Sequence, residues 1–196
     1  MTKERNQKFE VYNHRILWMA AEQNLLQITP SNKESNYFSV GAMFLFFAAF
    51  EGYLNWLGNR VAPEVWKDER QFFSHSPFHG TLGKYLFLAK ILRISNPDPS
   101  RRPFQTAKEL LDLRNMVAHP KSEAGEKPVK FNEGYFPPHF EGQLAEKVSG
   151  EKAHRAKEDL KELADGLHRK AKLIYASNVP ESEAFGSFLG VTITDE

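Results

Sequence analysis

Cysteine is absent from the 196-residue sequence. Its absence excludes a disulfide framework, a zinc site built on thiolates and a thiol nucleophile. An excess of charge of one sign is also missing, because 26 Lys and Arg residues face 25 Asp and Glu residues and the formal net charge is +1. No overall field therefore favours a nucleic acid or a membrane, and any binding site for an anion must be local.

A hydrophobic run long enough to cross a membrane is not apparent either. The main candidate is FSVGAMFLFFAAF, residues 38 to 50, and Glu51 ends it. Such a run is too short for the hydrocarbon layer of a bilayer, so it predicts a buried core helix and no membrane association. The charged start, MTKERNQKFEVYNHR, lacks a secretory signal pattern. We therefore expect a cytoplasmic protein.

Helical periodicity is present over most of the chain. Apolar residues at helical spacing predict an all-α fold over residues 1–196, a single-domain bundle of about five to six helices. In the first of them, over residues 4–27, Phe9, Ile16, Met19 and Leu26 supply the apolar face. The other helices are expected over residues 36–59, after Pro63, and over 81–92, 104–118 and 151–176.

Two segments do not follow the helical pattern. Residues 120–150 form an irregular insertion before the last long helix, with a hairpin indicated around Asn132 and Gly134. Residues 181–196 form a C-terminal tail that either adds a short strand or hangs loose.

One charge lies within an apolar helical face near the end of the helix over 104–118. Arg114 falls near the centre of an arc that includes Leu110, Leu111 and Val117. A buried guanidinium is costly unless it is paired, and Glu51 interrupts the apolar stripe of another helix. We expect the two charges to meet, and we expect Arg114→Ala to lower stability by a few kcal/mol. The alternative is that Glu51, Asn55 and Asn59 form the solvated edge of their helix.

The residues after Arg114 complete a recognisable pattern, LRNMVAHP, residues 113 to 120. Asn115 and His119 lie about one turn apart, and Pro120 should end the helix at the histidine. The pattern Arg-Asn-x-x-x-His at the end of a helix resembles the signature of the HEPN superfamily. Glu51 matches the acidic residue that this family commonly carries on an earlier core helix. The resemblance covers residues 36 to 176.

The resemblance implies a fold, a reaction and partners. HEPN proteins of this type are frequently metal-independent endoribonucleases, often toxins or defence effectors, with the motifs of two identical chains around one cleft. It therefore implies a homodimer, an RNA substrate, no cofactor and no metal, and it raises an antitoxin or regulatory protein as a further partner. The alternative is a non-catalytic HEPN-like dimerisation or interaction module in which the same residues are structural.

The residue types suit RNA cleavage by the 2′-hydroxyl. This reaction needs a base, an acid and positive donors on the phosphorane. His119 can act as base or acid, Arg114 offers a planar fork for phosphate oxygens, and Asn115 can hold the imidazole or a phosphate oxygen. Glu51 would orient Arg114, with Asn55 as a further supporting residue. One such histidine per chain favours a two-fold axis that brings a second His119 opposite the first.

Binding of the RNA backbone needs further cations. Arg101, Arg102 and Lys121 are the main candidates, and the wider set of nearby cations adds Arg60, Lys84, Lys90 and Arg93. For most of these residues individually, a solvated surface charge is the favoured interpretation.

His75 and His79, in HSPFH, have the spacing of a helical metal pair. However, Pro77 breaks the helix that would align them and no carboxylate pattern completes a site. The sequence therefore gives neither histidine a role in metal binding.

Overall fold

The computed structural model describes residues 7–30, 32, 34–122, 142–179, 183–186 and 189–193. The all-α prediction is confirmed: the described residues form eight helices, three of them with five residues or fewer, and one pair of short strands. The helices are α1 (Asn13–Leu26), α2 (Ser35–Val61), α3 (Pro63–Lys67), α4 (Glu69–Phe72), α5 (Gly80–Ile91), α6 (Phe104–Ala118), α7 (Gln143–Lys147) and α8 (Gly150–Ile174). The strands are β1 (Gln7–Val11) and β2 (Leu189–Ile193).

Helix α2 is the centre of the bundle. It packs against α1, α5, α6 and α8, and its fully buried side chains include Phe46, Phe47, Phe50 and Leu54. By length and composition alone α2 could cross a membrane, but half of its most apolar window is buried inside the fold. The same apolar residues that suit a bilayer here form the core against which the other helices pack.

The N-terminal prediction is wrong in two respects. The chain is a strand up to Val11, and α1 begins at Asn13. The apolar face expected of this helix is exposed at Ile16, Met19 and Leu26, whereas the opposite face is buried. That face carries Trp18, whose ring lies 4.7 Å from the ring of Phe46 and 3.9 Å from that of Phe185. A large aromatic ring contributes more to burial than the smaller apolar side chains, and it decides which face turns inward.

The two short strands pair with each other although they are far apart in the sequence. Strand β2 pairs antiparallel with β1, so that Gln7 lies opposite Ile193. This agrees with the short strand considered for the tail. Arg15, fully buried on α1, donates hydrogen bonds to the backbone carbonyls of Glu183 at 2.7 Å and Ala184 at 3.2 Å. Arg15, on the buried face of α1, therefore anchors Glu183 and Ala184, which precede β2.

Helix α6 has the bounds that the sequence predicts, 104 to 118. The single short helix expected after Pro63 is two helices, α3 and α4, with Asp68 between them. Within the insertion, α7 is helical and precedes the N-cap of α8, Ser149, whose hydroxyl accepts from the backbone N–H of Lys152 at 3.1 Å. The hairpin predicted around Asn132 and Gly134 lies outside the described residues.

Candidate active site

Arg114 and Glu51 meet, as the sequence predicts. Arg114 Nη2 on α6 lies 3.5 Å from Glu51 Oε2 on α2, but their side chains remain 32% and 30% exposed. The expected position at the centre of the buried face is therefore wrong. The buried face of α6 instead consists of Phe104, Thr106, Ala107, Leu110 and Leu113. The ion pair lies at the border between the core and a solvent-filled cleft.

The second carboxylate oxygen of Glu51 is held by α5. Oε1 accepts a hydrogen bond of 2.8 Å from the hydroxyl of Thr81, a buried residue in the first turn of that helix. Contacts from α5 and α6 therefore hold the Glu51 carboxylate of α2 in position, and the carboxylate in turn helps to position the Arg114 side chain. Nothing in the sequence indicates Thr81 as a site residue, because its contact depends on how the start of α5 packs against the middle of α2.

A cleft of about 870 Å³, the first cleft, opens beside this pair. Its walls come from α2, from the segment of α3 and α4, from the start of α5 and from α6, and the pair of Glu51 and Arg114 lines it together with Asn115. The other charged side chains that line it are Lys67, Asp68, Glu69, Arg70 and Lys84. Both signs are present, so the cleft is not a uniformly basic groove.

Lys84 and Asn55 hold one wall of the first cleft. Lys84 is 7% exposed, so a solvated surface charge is the wrong description of this residue. Its ammonium donates to Asn55 Oδ1 at 2.8 Å and forms an ion pair with Glu69. Asn55 therefore supports the site through Lys84, one turn along α2 from Glu51.

Arg114 keeps hydrogen-bonding capacity toward the first cleft. A guanidinium carries five N–H donors; Nη1 donates to Asn115 Oδ1 at 3.1 Å, and the contact to Glu51 is a long one. Because the side chain lines the cleft and is partly exposed, remaining donors can reach a phosphate placed there. The ion pair of Arg114 and Glu51 thus lies at the edge of the first cleft, partly exposed to solvent, and not inside the core.

His119 follows the last residue of α6, as Pro120 predicts. It has φ −131° and ψ 61°, outside helical geometry, and its side chain is exposed. It lines a second cleft of about 600 Å³, together with Lys121 and residues of α7. Asn115 lines both clefts. The motif residues therefore line two clefts that have Asn115 in common.

The three candidate RNA-binding cations differ in their surroundings. Arg102 donates to both oxygens of Asp159 on α8, from Nε and Nη2 at 2.8 Å each, and Asp159 also accepts from Thr106. Arg101 is exposed and lies 3.3 Å from Asp98. Lys121 is exposed beside His119 in the second cleft. Among these cations, Lys121 is the one that lines a cleft with a motif residue.

His79 is a residue of the first cleft to which sequence analysis assigned no role. It lies at the N-cap of α5, two residues before Thr81, and lines the cleft that contains Arg114 and Asn115. Gly80, with φ +64°, makes the turn into α5, and its N–H donates to the carbonyl of Phe73 at 2.9 Å. The backbone of Phe78 packs so closely on α5 that a Cβ at Gly83 would lie 2.1 Å from it. These contacts fix the loop that carries His79.

Another histidine, His14, is buried elsewhere in the bundle. His14 on α1 lies among the rings of Tyr12, Tyr53, Trp56 and Phe185. Burial, followed by the charge of Arg15, lowers the pKa of His14 to about 4. No group of three or more His, Asp or Glu side chains suited to a metal ion occurs among the residues that the structure describes.

Compared with protein-family models, with curated proteins and with solved structures, the chain finds no match in any of the three.

Proposed function

We propose that this protein is a metal-independent endoribonuclease of the HEPN type. The observation that carries the proposal is that Arg114, Asn115 and His119 line two clefts that share Asn115, with Glu51 paired to the arginine. The substrate is RNA, and the active form is a homodimer in the cytoplasm. A toxin or defence role, with an antitoxin or regulatory partner, belongs to the same proposal.

The reaction follows from the chemistry of these side chains. The 2′-oxygen of one nucleotide attacks the adjacent phosphorus, the O2′–P bond forms, and the P–O5′ bond breaks. The base accepts the hydroxyl proton and the acid protonates the departing 5′-oxygen, which leaves a 2′,3′-cyclic phosphate and a 5′-hydroxyl. Arg114 stabilises the charge on the phosphorane, Asn115 holds a phosphate oxygen or the imidazole, and His119 transfers a proton.

The test compares the wild-type protein with His119→Ala. Both are purified, checked for the same unfolding temperature, and incubated with mixed single-stranded RNA in EDTA. We expect the wild type to degrade the RNA. His119→Ala should cleave it more slowly than the wild type by roughly 10²-fold or more, which is the contribution of one acid–base group. RNA methylated at the 2′-oxygens should resist cleavage because it lacks the nucleophile.

Equal degradation by both proteins, or by neither, would remove the enzyme proposal. A test in cells uses the same pair, since growth inhibition on expression should disappear in His119→Ala. The second candidate, an interaction module without turnover, is favoured by the contacts of Arg114 to Glu51 and Asn115, which would also serve a structural role. It predicts no cleavage by either protein.

A further inference from the structure

We infer that His79 is a second acid–base residue of the reaction, supplied by the same chain as His119. The inference rests on the proposed function and concerns the number of imidazoles in one subunit. The sequence supplies one motif histidine per chain. This favours His119 of a second copy as the second acid–base residue. The structure instead brings His79 to the cleft that holds Arg114 and Asn115.

A short series of contacts links the loop of His79 to the motif. Thr81, two residues after His79, donates to Glu51 Oε1 at 2.8 Å, and Glu51 Oε2 lies 3.5 Å from Arg114. Asn115 accepts from Arg114 and lines both clefts. His79 therefore shares the first cleft with Asn115, and His119 shares the second cleft with the same residue.

This arrangement fits the geometry of the reaction. In an in-line displacement the attacking and leaving oxygens lie on opposite sides of the phosphorus, so the base and the acid must approach from two directions. A phosphate bound by Arg114 and Asn115 would lie in the cleft that His79 lines, and Asn115 also lines the cleft of His119. One imidazole removes the proton from the 2′-hydroxyl and the other gives a proton to the 5′-oxygen, so the protons balance.

The surroundings of His79 permit this role. Its side chain is exposed, and it makes no hydrogen bond that caps α5. Its backbone is extended, with φ −73° and ψ 130°. The imidazole thus does not cap the helix. The backbone of His79 is held by the turn at Gly80 and by the packing of Phe78 on Gly83.

The experiment compares His79→Asn with His75→Asn. Asparagine is a favoured N-cap residue, so His79→Asn should fold at least as well as the wild type. His75 lies four residues earlier in the same loop, is exposed, and does not line the first cleft; its Nδ1 lies 2.6 Å from the hydroxyl of Ser74. His75→Asn is therefore a matched control for loss of a loop imidazole.

The readout is the pH dependence of cleavage of a single-stranded RNA oligonucleotide between pH 5 and pH 9. We expect a bell-shaped profile for the wild type and for His75→Asn. His79→Asn should lower kcat by roughly 10²-fold or more, with little change in KM, and should lose one limb of the bell. A His79→Asn profile that keeps both limbs would overturn the inference, whatever the residual rate.

A co-expressed mixture of His79→Asn and His119→Ala tests whether the two imidazoles belong to one chain. In a mixed dimer neither chain holds both histidines, so the mixture should be no more active than the two variants measured separately. Recovery of activity would mean that the imidazoles meet across two chains and would overturn the assignment to one subunit. Activity lost in His119→Ala but unchanged in His79→Asn would remove this inference alone, and an inactive wild type would remove both proposals.

Discussion

Replacing Arg102 by alanine should destabilise the protein by about 2 to 3 kcal/mol. The guanidinium makes two hydrogen bonds of 2.8 Å to Asp159, whose side chain is 4% exposed. Breaking a fully buried ion pair costs about 3 to 5 kcal/mol. Here the arginine is 52% exposed and Asp159 keeps its bond to Thr106, which lowers the expected cost. For a chain of this size, the loss corresponds to a fall in Tm of roughly 5 to 10 °C.

The neighbouring arginine provides the control. Arg101 is 82% exposed and lies 3.3 Å from the exposed Asp98, so Arg101→Ala should change stability by less than about 0.5 kcal/mol. Both variants are unfolded thermally and in urea at pH 7. Adding Asp159→Asn to Arg102→Ala should recover part of the loss, because the orphaned charge is removed. Equal stability of the two arginine variants would refute the reasoning.

Two further predictions concern His14 and Arg114. The folded pKa of His14, about 4, lies below its unfolded value of 6.5. As the pH falls below 6.5, the unfolded chain binds a proton that the folded chain does not, so stability is full above pH 6.5 and falls until about pH 4. Urea unfolding should show a loss of about 1.5 kcal/mol between pH 6.5 and 5 that is absent in His14→Phe; parallel curves for both proteins would contradict it. Arg114→Gln should lower stability by less than about 1 kcal/mol, not by the few kcal/mol expected of a buried pair, because the pair with Glu51 is partly exposed. RNA cleavage should nevertheless fall by 10²-fold or more, and a large loss of stability with unchanged cleavage would make this arginine structural.

The sequence predicts those parts of the fold that depend on local pattern. The bounds of α6 follow from apolar periodicity that begins at Phe104 and from Pro120, which disfavours helical geometry at His119. The meeting of Glu51 and Arg114 follows from a physical requirement, because each charge interrupts the apolar pattern of its helix. In both cases the information lies within a few turns of one helix.

The sequence fails where burial depends on distant partners. Arg15 is fully buried because backbone carbonyls from residues 183 and 184 reach it, and no local pattern on α1 indicates this. Lys84 is buried because Asn55 and Glu69 supply oxygens from α2 and α4. For the same reason His79 lines the first cleft through packing of its loop on α5, a placement that the HSPFH pattern does not indicate.

The contrast between Arg102 and Arg114 shows how contacts separate a structural arginine from a candidate catalytic one. Arg102 directs two donors at short distance to a carboxylate that has almost no contact with solvent, so its fork is already occupied within the fold. Arg114 makes one long contact to a partly exposed carboxylate and one hydrogen bond to its neighbour Asn115, and it lines a cleft. A phosphate that bound Arg102 would have to displace the buried carboxylate of Asp159, which would then lose its ion pair. A phosphate that bound Arg114 could accept hydrogen bonds from the remaining N–H donors of this guanidinium. The carboxylate of Glu51 then serves to hold the guanidinium at the cleft without neutralising its outer edge, because Thr81 keeps the other carboxylate oxygen turned toward α5.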